Sequence, residues 1–194
     1  MQTMAKKIAA HVAQSPEGMP ISAKGLLALG NRAAVDQALS RLARRGTLIR
    51  IRRGIYVRPI ATRFGRRAPS IGRLIERFAR ERGVTIARHG SAAANELGLT
   101  TQVPVRSVYL TSGRSGRLKL GAQTIELQHA PSWQLSKPGK RAGEAIRAIA
   151  YLGPERVGDV LARLTKSERR EVAALCPQLP ERFAERVSAY VANA

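Results

Sequence analysis

Acidic residues are scarce in this 194-residue chain: 13 Asp and Glu stand against 34 Lys and Arg, so the formal net charge at pH 7 is +21. Hydrophobic residues still make up 44% of the chain, close to their share in globular proteins. A chain of this length folds into one or two domains, each able to bury a modest core. The excess charge therefore belongs to a folded protein and predicts a polyanionic partner, with nucleic acid ahead of an anionic membrane surface.

Other missing features exclude further classes of protein. Cys176 is the single cysteine, so the chain forms no intramolecular disulfide and no thiolate metal cluster. No stretch approaches the roughly 18 consecutive apolar residues of a membrane span. The amphipathic first 13 residues lack the apolar core and the small-residue cleavage site of an export signal. We therefore expect a cytoplasmic protein that does not associate with membranes.

Groups that could perform catalysis are also sparse. The first 70 residues contain only Glu17 and Asp36 as acids, and Asp159 is the only later aspartate, so no carboxylate pair suggests a Mg²⁺ site. The histidines are far apart and lack metal-ligand spacing: His11, His89 and His129. Neither a phosphate-binding loop nor a dinucleotide fingerprint is present. His89, in a turn, is the one candidate nucleophile or base, although a histidine bonded to the backbone is the commoner case. We expect no enzyme, no cofactor and no metal.

The first 60 residues have the pattern of three short helices followed by a hairpin. Apolar spacing predicts helices over residues 5–14, 23–29 and 31–45, the second capped by Ser22 and the third begun by Asn31 and ended by Gly46. Two β-rich runs, 47–51 and 55–57, are joined by a tight Arg-Arg-Gly turn. This order is typical of a winged helix-turn-helix domain, which we assign to residues 1–60.

The third predicted helix has one apolar side and one polar, basic side. Val35, Leu39 and Leu42 form the core stripe. The opposite side carries Ala33, Ala34, Gln37, Ser40, Arg41 and Arg44. The short side chains near the start of the helix allow close approach to a groove floor. Gln37 and Ser40 can reach base edges, and Arg41 and Arg44 can contact guanine or phosphate. Arg32 and Arg45 flank this side and are predicted to hold phosphates. An ordinary solvated helix face would show the same pattern, so the helix alone leaves both interpretations open.

The hairpin favours DNA contact. Four arginines lie within nine residues, and no acid occurs between Asp36 and Glu76. They are Arg50, Arg52, Arg53 and Arg58. Alternation around Ile51 places its two neighbouring arginines on the face away from the core. Such a wing can straddle the DNA backbone or enter the minor groove. An edge hairpin that uses charge only to prevent strand addition would need fewer charges, and acids would serve equally well.

Positive charge is concentrated in the first part of the chain. Residues 1–70 hold 14 Lys and Arg and 2 acids, a net charge of +12, whereas residues 71–194 hold 20 and 11, a net charge of +9. We interpret residues 61–70 as a basic linker that could itself follow phosphates through Arg63, Arg66 and Arg67. The first domain is therefore the predicted nucleic-acid reader.

Residues 71–194 predict a small, mostly antiparallel sheet with helices packed on it, so the whole chain is α+β. Strands are predicted over 84–88, 105–111, 117–120 and 123–129, and helices over 71–82, 91–97 (capped by Ser91), 142–152, 155–164, 167–175 and 181–191. Asn95 and Gln102 could contact a partner, but amides that brace a turn are more common. Arg114, Arg117 and Lys119 form a second basic hairpin, either a contact for DNA or RNA or a solvated loop.

Two segments carry a resemblance to a known family. The first is AAANELGLTTQVPV, residues 92–105, followed by VYLT at 108–111, and the second is LIRIRRGIYV at 48–57. Together they resemble AbiEi-type proteins, the antitoxins of type IV abortive-infection toxin–antitoxin systems, over about Lys6 to His129. The resemblance implies a winged helix-turn-helix repressor that binds inverted repeats in its own promoter. It also implies a nucleotidyltransferase-like toxin that is countered without a stable complex.

The sequence therefore predicts a repressor that binds double-stranded DNA, reading bases with the third helix and holding phosphates with the wing. The alternative is an RNA-binding or protein-interaction module that docks on a ribosome, transfer RNA or an acidic partner. The chain has only four Tyr, three Phe and one Trp to stack against unpaired bases, which weighs against an RNA reader.

Overall fold

The structure, a computed structural model, describes residues 3–16, 18–63, 65–102 and 106–193. The chain divides into two compact units, Met1–Val84 with Arg117–Ile125, and Thr85–Gly116 with Glu126–Ala194. Helices and small antiparallel sheets occur together, so the α+β class predicted from the sequence is confirmed. Residues 103–105, which include the predicted start of one strand and part of the AbiEi-like segment, lie outside the described residues.

Helices and short strands alternate in the first unit. In chain order the elements are α1 (Met4–Ala13), β1 (Pro20–Ser22), a 3-10 helix (Lys24–Leu29), α2 (Arg32–Arg44), β2 (Ile49–Arg52), β3 (Ile55–Val57), β4 (Ile60–Thr62), β5 (Gly65–Arg67) and α3 (Ile71–Arg82). One sheet has the strand order β1-β3-β2, and both pairings are antiparallel. β4 and β5 form a separate antiparallel pair.

These elements match the predicted helices and the predicted hairpin, with three differences. The segment predicted as the second helix is a 3-10 helix, and Ser22, its predicted cap, lies in β1 with its Oγ accepting from the Gly25 N–H at 3.0 Å. β1 was not predicted, because a three-residue strand is stabilised by its partner β3 and not by its own residues. The predicted linker of residues 61–70 contains most of the β4–β5 pair, and the first unit continues beyond it through α3.

An apolar core holds α1, the 3-10 helix, α2 and the sheet together. Its buried members from α1 and α2 are Ile8, Val12, Val35, Ala38, Leu39 and Leu42. The segment from β1 to the 3-10 helix adds Ile21, Ala23 and Leu26, and the hairpin region adds Leu48 and Tyr56. The predicted stripe of the third helix therefore faces the core, and the opposite side of α2 is left outside it.

From Ile86 onward the chain has one sheet and a series of helices. The elements are β6 (Ile86–Arg88), α4 (Gly90–Glu96), β7 (Ser107–Thr111), β8 (Gly116–Leu120), β9 (Gln123–His129), a 3-10 helix (Ser132–Leu135), α5 (Arg141–Leu152), a 3-10 helix (Pro154–Arg156), α6 (Val157–Ala162), α7 (Lys166–Ala173), a 3-10 helix (Cys176–Gln178) and α8 (Glu181–Ala192). The strand order of the sheet is β6-β7-β9-β8. No helix in the described ranges combines the length and apolar character that crossing a membrane requires.

α4 begins with a histidine cap. The sequence predicts Ser91 as the cap, which is wrong, because Ser91 lies inside the first turn and the accepting side chain must precede the helix. His89 takes this place, with its Nδ1 accepting from the Ser91 N–H at 3.2 Å. Burial lowers the pKa of His89, which favours the neutral ring that can accept this bond. His89, the candidate nucleophile or base, thus caps a helix in the structure.

Two further polar side chains of the second unit bind backbone carbonyls. The Nδ2 of Asn95 donates to the carbonyls of Thr100 at 3.0 Å and Gln102 at 3.3 Å, so this amide braces the turn after α4. Arg147, only 1% exposed, donates from Nη1 to the carbonyls of Gln134 at 3.3 Å and Ser136 at 3.4 Å. Burial lowers the pKa of Arg147 to about 10, so the guanidinium remains charged at neutral pH.

α5 packs against a neighbouring turn so closely that only glycine fits at position 143. A Cβ there would lie 2.2 Å from the carbonyl oxygen of Lys137, so we expect Gly143→Ala to lower the free energy of unfolding by about 3 kcal/mol. Gly158→Ala in α6 is the matched control, since its nearest atom is 3.7 Å away. Because alanine has a higher helix propensity than glycine, Gly158→Ala should raise the free energy of unfolding by about 0.5–1 kcal/mol. Urea unfolding followed by Trp133 fluorescence measures both, and equal effects would contradict the packing argument.

Candidate nucleic-acid interface

The ends of α2 are set by local backbone bonds. Asn31 caps its start, with Oδ1 accepting from the Ala34 N–H at 2.9 Å. At the other end Gly46 has φ +68°, and the N–H groups of Gly46 and Thr47 donate to the carbonyls of Ala43 and Leu42, both at 3.0 Å. This is the Schellman arrangement, in which a left-handed glycine reverses the chain. The predicted cap and stop of the third helix are both confirmed.

The predicted reading side of α2 lies at the surface. Ala33, Gln37, Arg41 and Arg44 are exposed, and Ala34 and Ser40 are half-buried. The flanking Arg32 and Arg45 are exposed as well. Because the core stripe occupies the other side of the helix, a partner could approach all eight residues without disturbing the core.

The β2–β3 hairpin also presents its arginines outward. Ile51 is 1% exposed, whereas Arg50, Arg52 and Arg53 are exposed, as the alternation predicts. A register shift between Arg50 and Arg52 marks a β-bulge in β2. At the turn Gly54 has φ +72°, and its carbonyl accepts from the Ala23 N–H at 2.8 Å. This bond ties the hairpin turn to the residue that precedes the 3-10 helix.

α2 and β2 share one concave surface. Seven residues line it, and we call it the α2–β2 groove: Ser40, Ala43, Arg44, Gly46, Leu48, Ile49 and Arg50. Its two cations come from the end of α2 and from β2, and its apolar floor continues into the core at Leu48, which is 2% exposed. The groove therefore unites a residue of the predicted reading helix with one of the predicted wing.

The cations around this groove have few acidic partners. Within the described part of the chain, no carboxylate lies within 4.0 Å of the side-chain nitrogens of Arg41, Arg44, Arg50, Arg52 or Arg53. The exception on this surface is Arg32, whose Nε lies 2.8 Å from Oδ2 of Asp36. The positive charge is therefore largely uncompensated and can attract an anion.

Arg58 is a predicted DNA contact that the structure places elsewhere. Its Nη1 donates to the carbonyls of Ala13 at 2.8 Å and Ser15 at 3.3 Å, at the end of α1. Its own carbonyl accepts from the Gly18 N–H at 3.2 Å. Arg58 thus holds the segment after α1 against the end of the hairpin. Sequence reasoning could not separate it from its neighbours, since its partners are backbone atoms about 45 residues away.

The residues predicted as a secondary contact are spread over several elements. Arg66 and Arg67 are exposed on β5, and Arg63 is exposed in the turn that precedes it. Arg117 and Lys119 are exposed on β8, and Arg114 is exposed in the loop before that strand. None of these six residues lines the α2–β2 groove.

A second groove of the first unit has a different electrostatic character. Pro16, Met19 and Pro20 form one side of it, and α3 forms the other. α3 contributes Arg73, Glu76, Arg77, Arg80 and Glu81. Carboxylates are mixed with the cations here, so this groove suits a polyanion less well than the α2–β2 groove does.

Comparison with known proteins places the chain in a family. Residues 7–172 match the model of a family of unknown function (DUF6088), and the chain belongs to that family. No curated protein and no solved structure matches the chain.

The internal bonds of Arg58 predict that it contributes to stability. We expect Arg58→Ala to lower the free energy of unfolding by about 1–2 kcal/mol, because two carbonyls lose a charged donor at a half-exposed site. Arg53→Ala removes the same charge from an exposed position and should change stability by less than about 0.5 kcal/mol. Urea unfolding followed by far-UV circular dichroism compares the two. A similar loss for both variants would show that the carbonyl bonds contribute little.

Proposed function

We propose that the protein binds double-stranded DNA through the first unit, acting as a winged helix-turn-helix. In this proposal α1, the 3-10 helix and α2 form the three-helix part, and β2 and β3 form the wing. α2 enters the major groove, and the wing contacts the backbone or the minor groove beside it. The α2–β2 groove carries the proposal, because Arg44 and Arg50 meet there with no carboxylate among the lining residues.

The residue types around the groove fit the division of labour in DNA recognition. Phosphate contacts orient a protein on the duplex, and contacts to base edges read the sequence. Arg44 on α2, with Gln37 and Ser40, can contact the base edges, since arginine matches guanine O6 and N7 and glutamine matches adenine. The exposed Arg52 and Arg53 can hold phosphates from the wing.

We further propose that the chain is an AbiEi-like antitoxin that acts in the cytoplasm. In this reading it represses its own operon by binding inverted repeats in the promoter, which blocks access to that promoter. It counters a nucleotidyltransferase-like toxin without forming a stable complex with it. The AbiEi-like segments at 48–57 and 92–111 support this part of the proposal.

Competition between nucleic acids tests the binding activity. In a gel-shift assay at about 0.15 M salt, labelled duplex from the region upstream of its own gene competes against random duplex and against folded RNA. We expect unlabelled upstream duplex to displace the labelled duplex at a much lower excess than random duplex or folded RNA. Equal competition by folded RNA would instead support the RNA-binding alternative. If none of the three nucleic acids binds, the proposal is refuted, and an acidic protein becomes the expected partner of the basic surface.

Arg44→Ala tests base reading. If Arg44 contacts a base, the substitution should cost about 1–3 kcal/mol on the upstream duplex and reduce the preference over random duplex. Arg53→Ala is the matched control, since it removes one exposed arginine from the wing. It should weaken binding to all duplexes equally and lower the slope of log affinity against log salt by about 1. An equal loss on every duplex for Arg44→Ala would make Arg44 a phosphate contact.

Co-expression tests the antitoxin role. A nucleotidyltransferase-like protein encoded beside this chain should arrest growth when expressed alone, and this chain should restore growth. Affinity purification of the tagged chain should retain no stoichiometric amount of the toxin. Growth arrest that the chain does not relieve would make it a repressor without antitoxin activity, and a stable complex would exclude the type IV mode of action.

A further inference from the structure

Asp36 is the single acidic residue of α2, and it lies on the half-exposed part of the helix near the proposed reading side. A carboxylate near a surface that binds a polyanion repels every phosphate, whatever the DNA sequence. It therefore lowers affinity for all DNA. An advantage that depends on the particular DNA sequence would offset this general cost.

The geometry of the Arg32–Asp36 pair indicates what that advantage is. The Nε of Arg32 donates to Oδ2 of Asp36 at 2.8 Å, four residues further along α2. This bond uses Nε alone. Within the described part of the chain, the two terminal amino groups of Arg32 have no hydrogen-bond partner in the protein. Those two groups form the edge of the guanidinium that suits a bidentate contact with guanine O6 and N7. The pair thus occupies one edge of Arg32 and leaves the recognition edge open.

The position of Arg32 suits a base contact as well as the phosphate contact that the sequence predicts for it. It is the first residue of α2, directly after the cap Asn31. The residues at the start of a recognition helix are those that commonly reach base edges. Here the positive end of the helix dipole disfavours a cation, and the Asp36 carboxylate offsets that repulsion.

The pair makes only a small contribution to the stability of the fold. Both side chains are largely in water, 61% exposed for Arg32 and 49% for Asp36. Exposed ion pairs four residues apart on a helix contribute little to folding. A pair that restricts the rotamers of Arg32 before binding, however, reduces the entropy lost when that arginine contacts a base.

We propose that Asp36 is a positioning residue for sequence recognition. It holds Arg32 so that its two terminal amino groups face a guanine, while its charge lowers affinity for all DNA alike by repelling phosphates. Because the repulsion is the same for every DNA sequence, Asp36 increases the ratio of specific to non-specific affinity only by orienting Arg32. This inference rests on the proposed DNA-binding function.

Asp36→Asn separates the two effects. The amide keeps the shape of the side chain but loses the charge that holds Arg32. We expect affinity for random duplex to rise about two- to three-fold, because one repelling charge is gone. The ratio of upstream-duplex to random-duplex affinity should fall about three- to ten-fold, because Arg32 is no longer oriented. Asp36→Glu, which keeps the charge, should restore part of the ratio.

Two controls tie this result to Arg32. Asp159→Asn makes the same charge change in the second unit. Asp159 lies on α6, is exposed and pairs with Arg156, the residue just before that helix. It should leave the affinity ratio unchanged. In an Arg32→Ala background, Asp36→Asn should no longer change the ratio, because Asp36 acts through Arg32. Thermal unfolding of each variant should stay close to that of the wild type.

The outcomes of the competition assay are distinguishable. If Asp36→Asn tightens binding to both duplexes by the same factor, Asp36 is only a repelling charge and this inference is overturned, while the proposed function stands. A change in the ratio that persists in the Arg32→Ala background would also overturn it. If the wild-type protein shows no preference for its upstream duplex, the proposed function fails and this inference fails with it.

Discussion

The turn between α2 and β2 controls where the basic surface forms. Gly46 reverses the chain in a left-handed conformation, with φ +68°, and the N–H groups of Thr47 and Leu48 both donate to the carbonyl of Leu42. Leu48 then enters the core, 2% exposed, and β2 begins at the next residue. Arg44 precedes this turn and Arg50 follows it. Their side chains line one groove because these backbone bonds define the turn between them.

The exposed arginines of α2 and β2 do not stabilise the free protein, so its stability depends on the apolar core beneath them. The exposed arginines of α2 and β2 repel one another, and salt at about 0.15 M screens charges only beyond roughly 8 Å. Cations that lie within that distance of one another are therefore incompletely screened. Binding of a polyanion would relieve this repulsion, and any ligand that binds only the folded state stabilises it. If the proposed DNA binding holds, the surface therefore exchanges some stability of the free protein for attraction to DNA.

Most of the helices could be predicted from the sequence, because their signals are local. Asn31 and Gly46 define α2, and Ser70 and Gly83 define α3, through bonds to residues only a few positions away. The short strands could not all be predicted in this way. β1 exists through its pairing with β3, about 35 residues further along the chain, and no local pattern encodes that pairing. The cap of α4 is a different case, because its signal is local: the helix begins one residue earlier than predicted, and the His89 ring accepts from the Ser91 N–H.

The candidate site illustrates a related limit, since one residue type serves opposite purposes in this chain. Arg147 is buried and binds two backbone carbonyls, and Arg58 binds two carbonyls at the end of α1. Arg44 and Arg50, by contrast, have no carboxylate within 4.0 Å in the described part of the chain. Composition counts all four as equal contributors to the net charge. Only the geometry distinguishes them, because an arginine that already donates to the protein has fewer groups left for a ligand. A basic interface is therefore defined by the arginines that remain after the internal acceptors of the fold have been satisfied.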